Sequence, residues 1–114
     1  MAANNAIKNH IFYDSVTDTT ETSTCILEVN NNASTLNIEF ITSGTFSAQI
    51  YAATFDKEHF KLYPVFKLPT LQLMSGAIID SNYFYQVDIT GVDYIKVVLT
   101  AVTGTLTVRA KVVG

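Results

Sequence analysis

The sequence predicts an all-β protein, an antiparallel β-sandwich or jelly roll of about eight strands, and three observations carry that expectation. Thr, Val and Ile supply 15, 11 and 10 of the 114 residues, a β-branched third that suits a pleated, half-buried surface better than a helix. Apolar and polar side chains alternate at period two in segment after segment, so each has one face for a core and one for the outside. Glycines and Asn, Ser and Thr clusters separate these segments at intervals of roughly a dozen residues, the spacing of strands in two packed sheets. A closed barrel is the alternative arrangement. With 48% hydrophobic residues the chain is sized for one core. Residues 9–114 read as a single β-sandwich domain and residues 1–8 as a flexible N-terminal arm.

Taken in order, the first strand covers residues 9–16, and the polar run 17–23 reads as a loop. Residues 24–30 put Cys25, Leu27 and Val29 on one face against Ile26 and Glu28 on the other. Asn30, Asn31 and Asn32 make a turn into residues 35–42, where Leu36, Ile38 and Phe40 face inward. Ser43-Gly44 leads into residues 45–54, with Phe46, Ala48, Ile50 and Ala52 inward, and a hairpin is expected between these two strands. The charged run 55–60 is too short for a stable helix and reads as a loop. Residues 61–68 are apolar on both faces around Pro64, which favours an edge strand or a bulge. A short strand at Leu71-Gln72-Leu73 and a loosely bounded stretch, 77–82, follow. The last three strands, 83–89, 94–101 and 105–113, are joined by short turns at Gly91 and Gly104 and read as a meander. Their inward sets are Tyr85, Val87 and Ile89, then Ile95, Val97 and Leu99, then Leu106, Val108, Ala110 and Val112.

The composition excludes more functions than it identifies. A net charge of −3 with seven scattered Lys and Arg leaves no basic stripe for a phosphate backbone, so no nucleic acid is expected. The first residues, Met1 to Lys8, lack the charged and apolar regions of a secretory signal. No segment approaches the roughly 18 apolar residues of a membrane helix, and no membrane partner is expected. Without a secretory route the Asn32-Ala33-Ser34 acceptor pattern reads as chance. Cys25 is the single cysteine and is expected to be a small buried hydrophobe.

No metal-ligand spacing links His10 with His59, 49 positions apart, and no phosphate-cradling glycine pattern is present, so no cofactor and no metal are expected. Asp88 and Asp93 flank a turn, where carboxylates usually cap backbone amides. With no nucleophile held by a base, no catalytic residue is named and the chain is read as not an enzyme. A small cupin-like enzyme would need converging histidines and carboxylates. What remains is surface. Ile26, Ile41, Tyr51, Tyr63, Phe84, Tyr94, Val98 and Val113 fall opposite the inferred core, more apolar area than a monomer of this size exposes as one patch. They are read as a subunit interface, where tyrosine is enriched, in preference to a platform for a sugar.

Residues 85–101, Tyr-Gln-Val-Asp-Ile-Thr-Gly-Val-Asp-Tyr-Ile-Lys-Val-Val-Leu-Thr-Ala, and the following Val-Thr-Gly-Thr-Leu-Thr-Val-Arg-Ala of 102–110 resemble the C-terminal strands of small tailed-bacteriophage virion β-sandwich proteins. In that group a strand ends in an Asp-hydrophobic-Ser/Thr-Gly turn and is followed by an alternating basic and apolar strand, a Thr/Gly turn and a Thr/Val-rich strand. Thr45-Phe46-Ser47-Ala48-Gln49-Ile50 resembles their earlier Gly-Thr-Phe strand. The group's usual continuation, a Ser/Asp-Gly turn and a Trp, is missing from residues 55–68. The resemblance implies a non-enzymatic virion component assembled in the host cytoplasm: a capsid decoration protein, head fibre or tail accessory. Decoration is the expectation, with self-association as a trimer, since shells offer three-fold positions, and docking on the major capsid or another virion protein. The alternative is a carbohydrate-binding or host-receptor-binding module on a fibre or tail, because jelly-roll carbohydrate modules carry a similar Asp-x-Ser/Thr-Gly turn.

Overall fold

A computed structural model describes residues 7–29 and 33–113, with the side chains of Ile7 and Lys8 excepted. Ten strands form: β1 (Ile7–Val16), β2 (Ile26–Glu28), β3 (Thr35–Thr42), β4 (Phe46–Ala53), β5 (Lys61–Leu62), β6 (Val65–Lys67), β7 (Gln72–Met74), β8 (Tyr85–Asp88), β9 (Tyr94–Val102) and β10 (Leu106–Val113). They make a six-stranded sheet in the order β1-β10-β3-β8-β6-β7 and a four-stranded sheet in the order β2-β9-β4-β5. All paired strands run antiparallel. The expected all-β sandwich is therefore present, as two sheets and not a closed barrel. Residues 1–6 of the expected arm and the turn at Asn30, Asn31 and Asn32 lie outside the described residues. Ile7 and Lys8, counted with the arm, already pair with Val113 and Val112.

The alternation does what period two requires: Leu36, Ile38, Phe40, Phe46, Ile50, Tyr85, Val87, Ile95, Val97, Leu99, Leu106, Val108 and Val112 are all buried between the sheets. Two expected pairings do not occur. β3 and β4 form no hairpin, because β3 lies in the six-stranded sheet and β4 in the four-stranded one. Likewise β8, β9 and β10 are no meander: β9 sits opposite the other two. The physical reason is that strands in facing sheets point their apolar sets at the same core as strands in one sheet do. Alternation therefore fixes the buried face but not the sheet. Three-residue connections, 43–45 and 103–105, span roughly 10 Å when extended, enough to step from one sheet to the other.

These two crossovers lie side by side and are laced by hydroxyls. Ser43 N donates to Thr105 O and Thr103 N to Thr45 O, while Thr45 N donates to Thr103 Oγ1 at 2.8 Å and Thr105 N to Ser43 Oγ at 3.0 Å. The Thr-rich turns thus pair backbone donors that have left the ladders. Lys61 to Lys67 breaks at Pro64 into β5 and β6, which belong to different sheets, so the proline marks a corner where the chain changes layer. β6 and β7 then extend the larger sheet beyond β8 as a hairpin.

Strand β1 departs from strict alternation. Its register with β10 shifts between Ile11 and Tyr13, and both Phe12 and Tyr13 are buried. A bulge of this kind turns two successive side chains toward the same side. The Phe12 carbonyl accepts hydroxyls from Thr22 and Thr24, both at 2.9 Å, so the 17–25 loop is tied back over the bulge. Tyr13 crosses the core and its hydroxyl donates to Val97 O on the opposite sheet at 2.7 Å. Tyr13→Phe leaves that buried carbonyl short of a partner and is expected to cost about 1–3 kcal/mol, read as a lower urea midpoint at unchanged slope.

Burial raises the Tyr13 and Tyr63 phenols above their ordinary range and pushes Tyr85 up to about 12. The unfolded tyrosines ionise near pH 10 while the folded ones hold their protons, so the folded state binds more protons in alkali. Their contribution is complete below about pH 10 and is lost as pH rises toward 12, by at most about 1.4 kcal/mol per unit for each tyrosine. Urea midpoints measured from pH 8 to 11.5 are expected to begin falling above about pH 8.5, where burial keeps the Cys25 thiol protonated only in the folded chain, and to fall faster above about pH 10, less steeply in Tyr85→Phe.

Candidate binding surfaces

The eight residues read as an interface separate onto different parts of the sandwich. Ile26, Tyr51, Tyr94 and Val98 lie on the outer face of the four-stranded sheet, on strands paired as Ile26 with Lys96, Tyr51 with Lys96 and Ala53 with Tyr94. Ile41, Phe84 and Val113 lie on the outer side of the other sheet, and Tyr63 stands at the β5–β6 corner with its hydroxyl donating to Asp88 O at 2.6 Å. The first group is half-buried within the chain itself. Lys96 pairs with Glu21 at 3.1 Å and lies 5.7 Å from the Phe60 ring centroid, and Lys57 lies 5.5 Å from that of Tyr94. The charged 55–60 run, which forms no helix, is thus folded against this face.

Across the larger sheet the outward positions of neighbouring strands form polar rows. Phe66, Gln86, Asn37, Lys111 and Asn9 are successive partners from β6 to β1, and Glu39, Arg109 and Ile11 form the next row. An open groove of about 580 Å³ lies over these rows, with Asn9, Ile11, Asn37, Glu39, Arg109 and Lys111 along it and Phe84 and Leu68 at one side. Arg109 Nε donates to Glu39 Oε1 at 2.7 Å. Asn37 Oδ1, in the middle of the sheet, is covered and finds no hydrogen-bond partner among the described residues. The sequence reading missed this groove. Its polar residues are ordinary outward positions until the register sets them side by side.

The far end of the same sheet is apolar. Leu73 of β7, 59% exposed, pairs with Phe66, and Leu68 N donates to the carbonyl of Phe84, 54% exposed. Leu71 and Ile79 are exposed as well, and among the described residues β7 pairs only with β6, so no described strand lies along its second edge. Leu71, Leu73 and Ile79 stand in the segment whose strand boundaries the sequence left loose, which is why they were not singled out.

The two histidines do not converge. His10 Nε2 lies 2.9 Å from Thr24 O beside β1, whereas His59 contacts Asp56. Asp56, Glu58 and His59 offer ligand atoms within 4.8 Å of one another, all exposed. The Asp56 carboxylate is already engaged by the N–H groups of Glu58 and His59 and by the His59 ring, which hold it below its usual range. Asp88 Oδ1 accepts from Thr90 N, the backbone-capping role expected of it. Cys25 is buried, and burial raises its thiol.

No protein-family model matches the chain, and neither does any curated protein. Among solved structures, the SPBc2 prophage-derived protein YomS superposes with a TM-score of 0.82 at 21% identity, over 95% of this chain and 93% of that one. The PBSX exported protein XepA superposes with a TM-score of 0.83 at 16% identity, over 95% of this chain but 38% of that longer one. At these identities the likeness is one of fold: the chain shares its sandwich with two prophage proteins, nearly the whole of one and part of the other.

Proposed function

We propose that the chain is a non-enzymatic phage structural protein that self-associates and docks on a larger phage assembly, with capsid decoration as the specific role. The observation that carries the reading is the apolar end of the larger sheet, where Leu73 pairs with Phe66, Phe84 is exposed nearby, and no described strand lies along the second edge of β7. An exposed apolar edge invites pairing, and pairing with a second copy covers it while satisfying its free backbone groups. The phage origin draws support from the two prophage proteins of the same fold. The eight-strand framework supports it too: without the β6–β7 hairpin, β1-β10-β3-β8 faces β2-β9-β4-β5 and the chain changes sheet at every step except β4 to β5, an order like that of jelly rolls, common in viral shells.

Light scattering on a size-exclusion peak across a dilution series tests self-association. The wild-type chain is expected as an oligomer of one defined size, and Leu73→Asp as a folded protein whose dissociation midpoint moves up about tenfold or more, the loss of one buried leucine. A wild-type monomer at every concentration overturns the reading. Immunogold labelling of particles from an induced lysogen tests the location: label on shells supports decoration, and bare shells reject it.

A further inference from the structure

The groove over β1, β10, β3 and β8 adjoins the apolar end of the sheet and shares Phe84 with it, but its polar chemistry points to a ligand of its own. We infer that it is a binding site for an acidic saccharide. Three features of the groove converge on that class. The first is mixed polarity on a rigid sheet: Phe84, Leu68 and Ile11 offer apolar surface for the C–H face of a sugar ring, and the amides of Asn9 and Asn37 line the same groove. Planar amides beside an aromatic edge suit a ligand with hydroxyls around an apolar ring, whereas an apolar peptide segment would leave the amides unpaired.

The second is Asn37, whose Oδ1 has no partner among the described residues although it is covered. Unpaired polar atoms at such positions are uncommon and costly. A turn about the terminal side-chain torsion, a soft two-fold rotor, brings the amide to a ligand hydroxyl, which both donates and accepts and so completes either end of it.

The third is charge. The chain carries −3 overall, yet the groove holds Arg109 and Lys111 against the single carboxylate of Glu39. Arg109 gives its Nε hydrogen to Glu39 at 2.7 Å, which fixes the guanidinium plane and leaves the terminal amino groups for a carboxylate or sulfate on the sugar. A neutral sugar would leave that excess positive charge uncompensated.

The experiment is an NMR titration of the isotope-labelled chain with hexagalacturonate, dextran sulfate oligosaccharide and maltohexaose. The result expected is perturbation of the side-chain N–H signals of Asn37 and Arg109 by at least one acidic oligosaccharide and not by maltohexaose, weakening with added salt. Arg109→Gln and Asn37→Ala each lie on the outer face, so a dispersed spectrum confirms the fold. Each is expected to weaken binding about tenfold. Silence of the groove signals with all three probes, perturbation confined to another face, or equal binding of maltohexaose overturns the assignment. Leu73→Asp leaves this titration unchanged, so failure of the groove and failure of self-association are told apart.

Discussion

Phe40→Ala is expected to cost about 3–5 kcal/mol, the loss of a buried phenyl ring plus the cavity it leaves. Phe40 lies in β3 and stacks on Phe46 of the facing sheet at a centroid distance of 4.8 Å and an interplanar angle of 14°. It also meets Tyr85 of its own sheet edge-on at 5.7 Å. One ring therefore joins the two layers and a neighbouring strand. A domain of this size has about 5–15 kcal/mol in all, so the variant loses roughly a fifth of its stability or more. Urea denaturation followed by tyrosine fluorescence reads the change as a lower midpoint. A loss below about 1 kcal/mol would mean that the layers close over the gap, contrary to the rigid packing described here.

Gly44→Ala is expected to be the most damaging single-methyl change, at about 1–3 kcal/mol. A Cβ at this position falls on the carbonyl oxygen of Thr103, with the carbonyl carbon 2.8 Å away and Thr103 Oγ1 at 2.7 Å. The obstacle is backbone, and it belongs to a crossover tied to residues 43–45 by several hydrogen bonds, so neither segment yields alone. Gly76→Ala is the control, since a Cβ there meets nothing within 4 Å. It is expected to be neutral or slightly stabilising through the unfolded chain. Thermal midpoints are expected to drop by roughly 5–15 °C for Gly44→Ala and to hold for Gly76→Ala. Equal shifts for the two would contradict the close approach of the crossovers.

The buried faces were legible residue by residue because period two is a local property. Leu36, Ile38 and Phe40 are inward whichever partner β3 takes. Partnership is not local, and there the sequence misled: Ser43-Gly44 looks like a hairpin turn, but here it carries the chain between layers. Phe12 was equally hard to place, because one bulge residue reverses the alternation and nothing in the sequence of residues 9–16 marks where it falls. Ile78 shows a third kind of omission. It forms a lone bridge to Ala48, exchanging two hydrogen bonds at 2.8 and 2.9 Å, and is buried although no regular strand surrounds it. Surface sites were the least legible. Arg109 meets Glu39 across 70 positions, and no reading of either segment alone assembles the groove.

The pairing of β1 with β10, Ile7 against Val113, also bears on how the protein is made. A chain leaving the ribosome N-terminus first presents Phe12 and Tyr13 early and the strand that pairs with theirs last of the ten, so the larger sheet cannot close until β10 has been made. Closure waits for β10, and the distant pairing makes that last step slow compared with folding through local contacts. Until then β3 offers a bare edge to any other nascent copy. Production at low temperature or with a chaperone that shields exposed strands should therefore raise the yield more than any stabilising substitution in the finished fold.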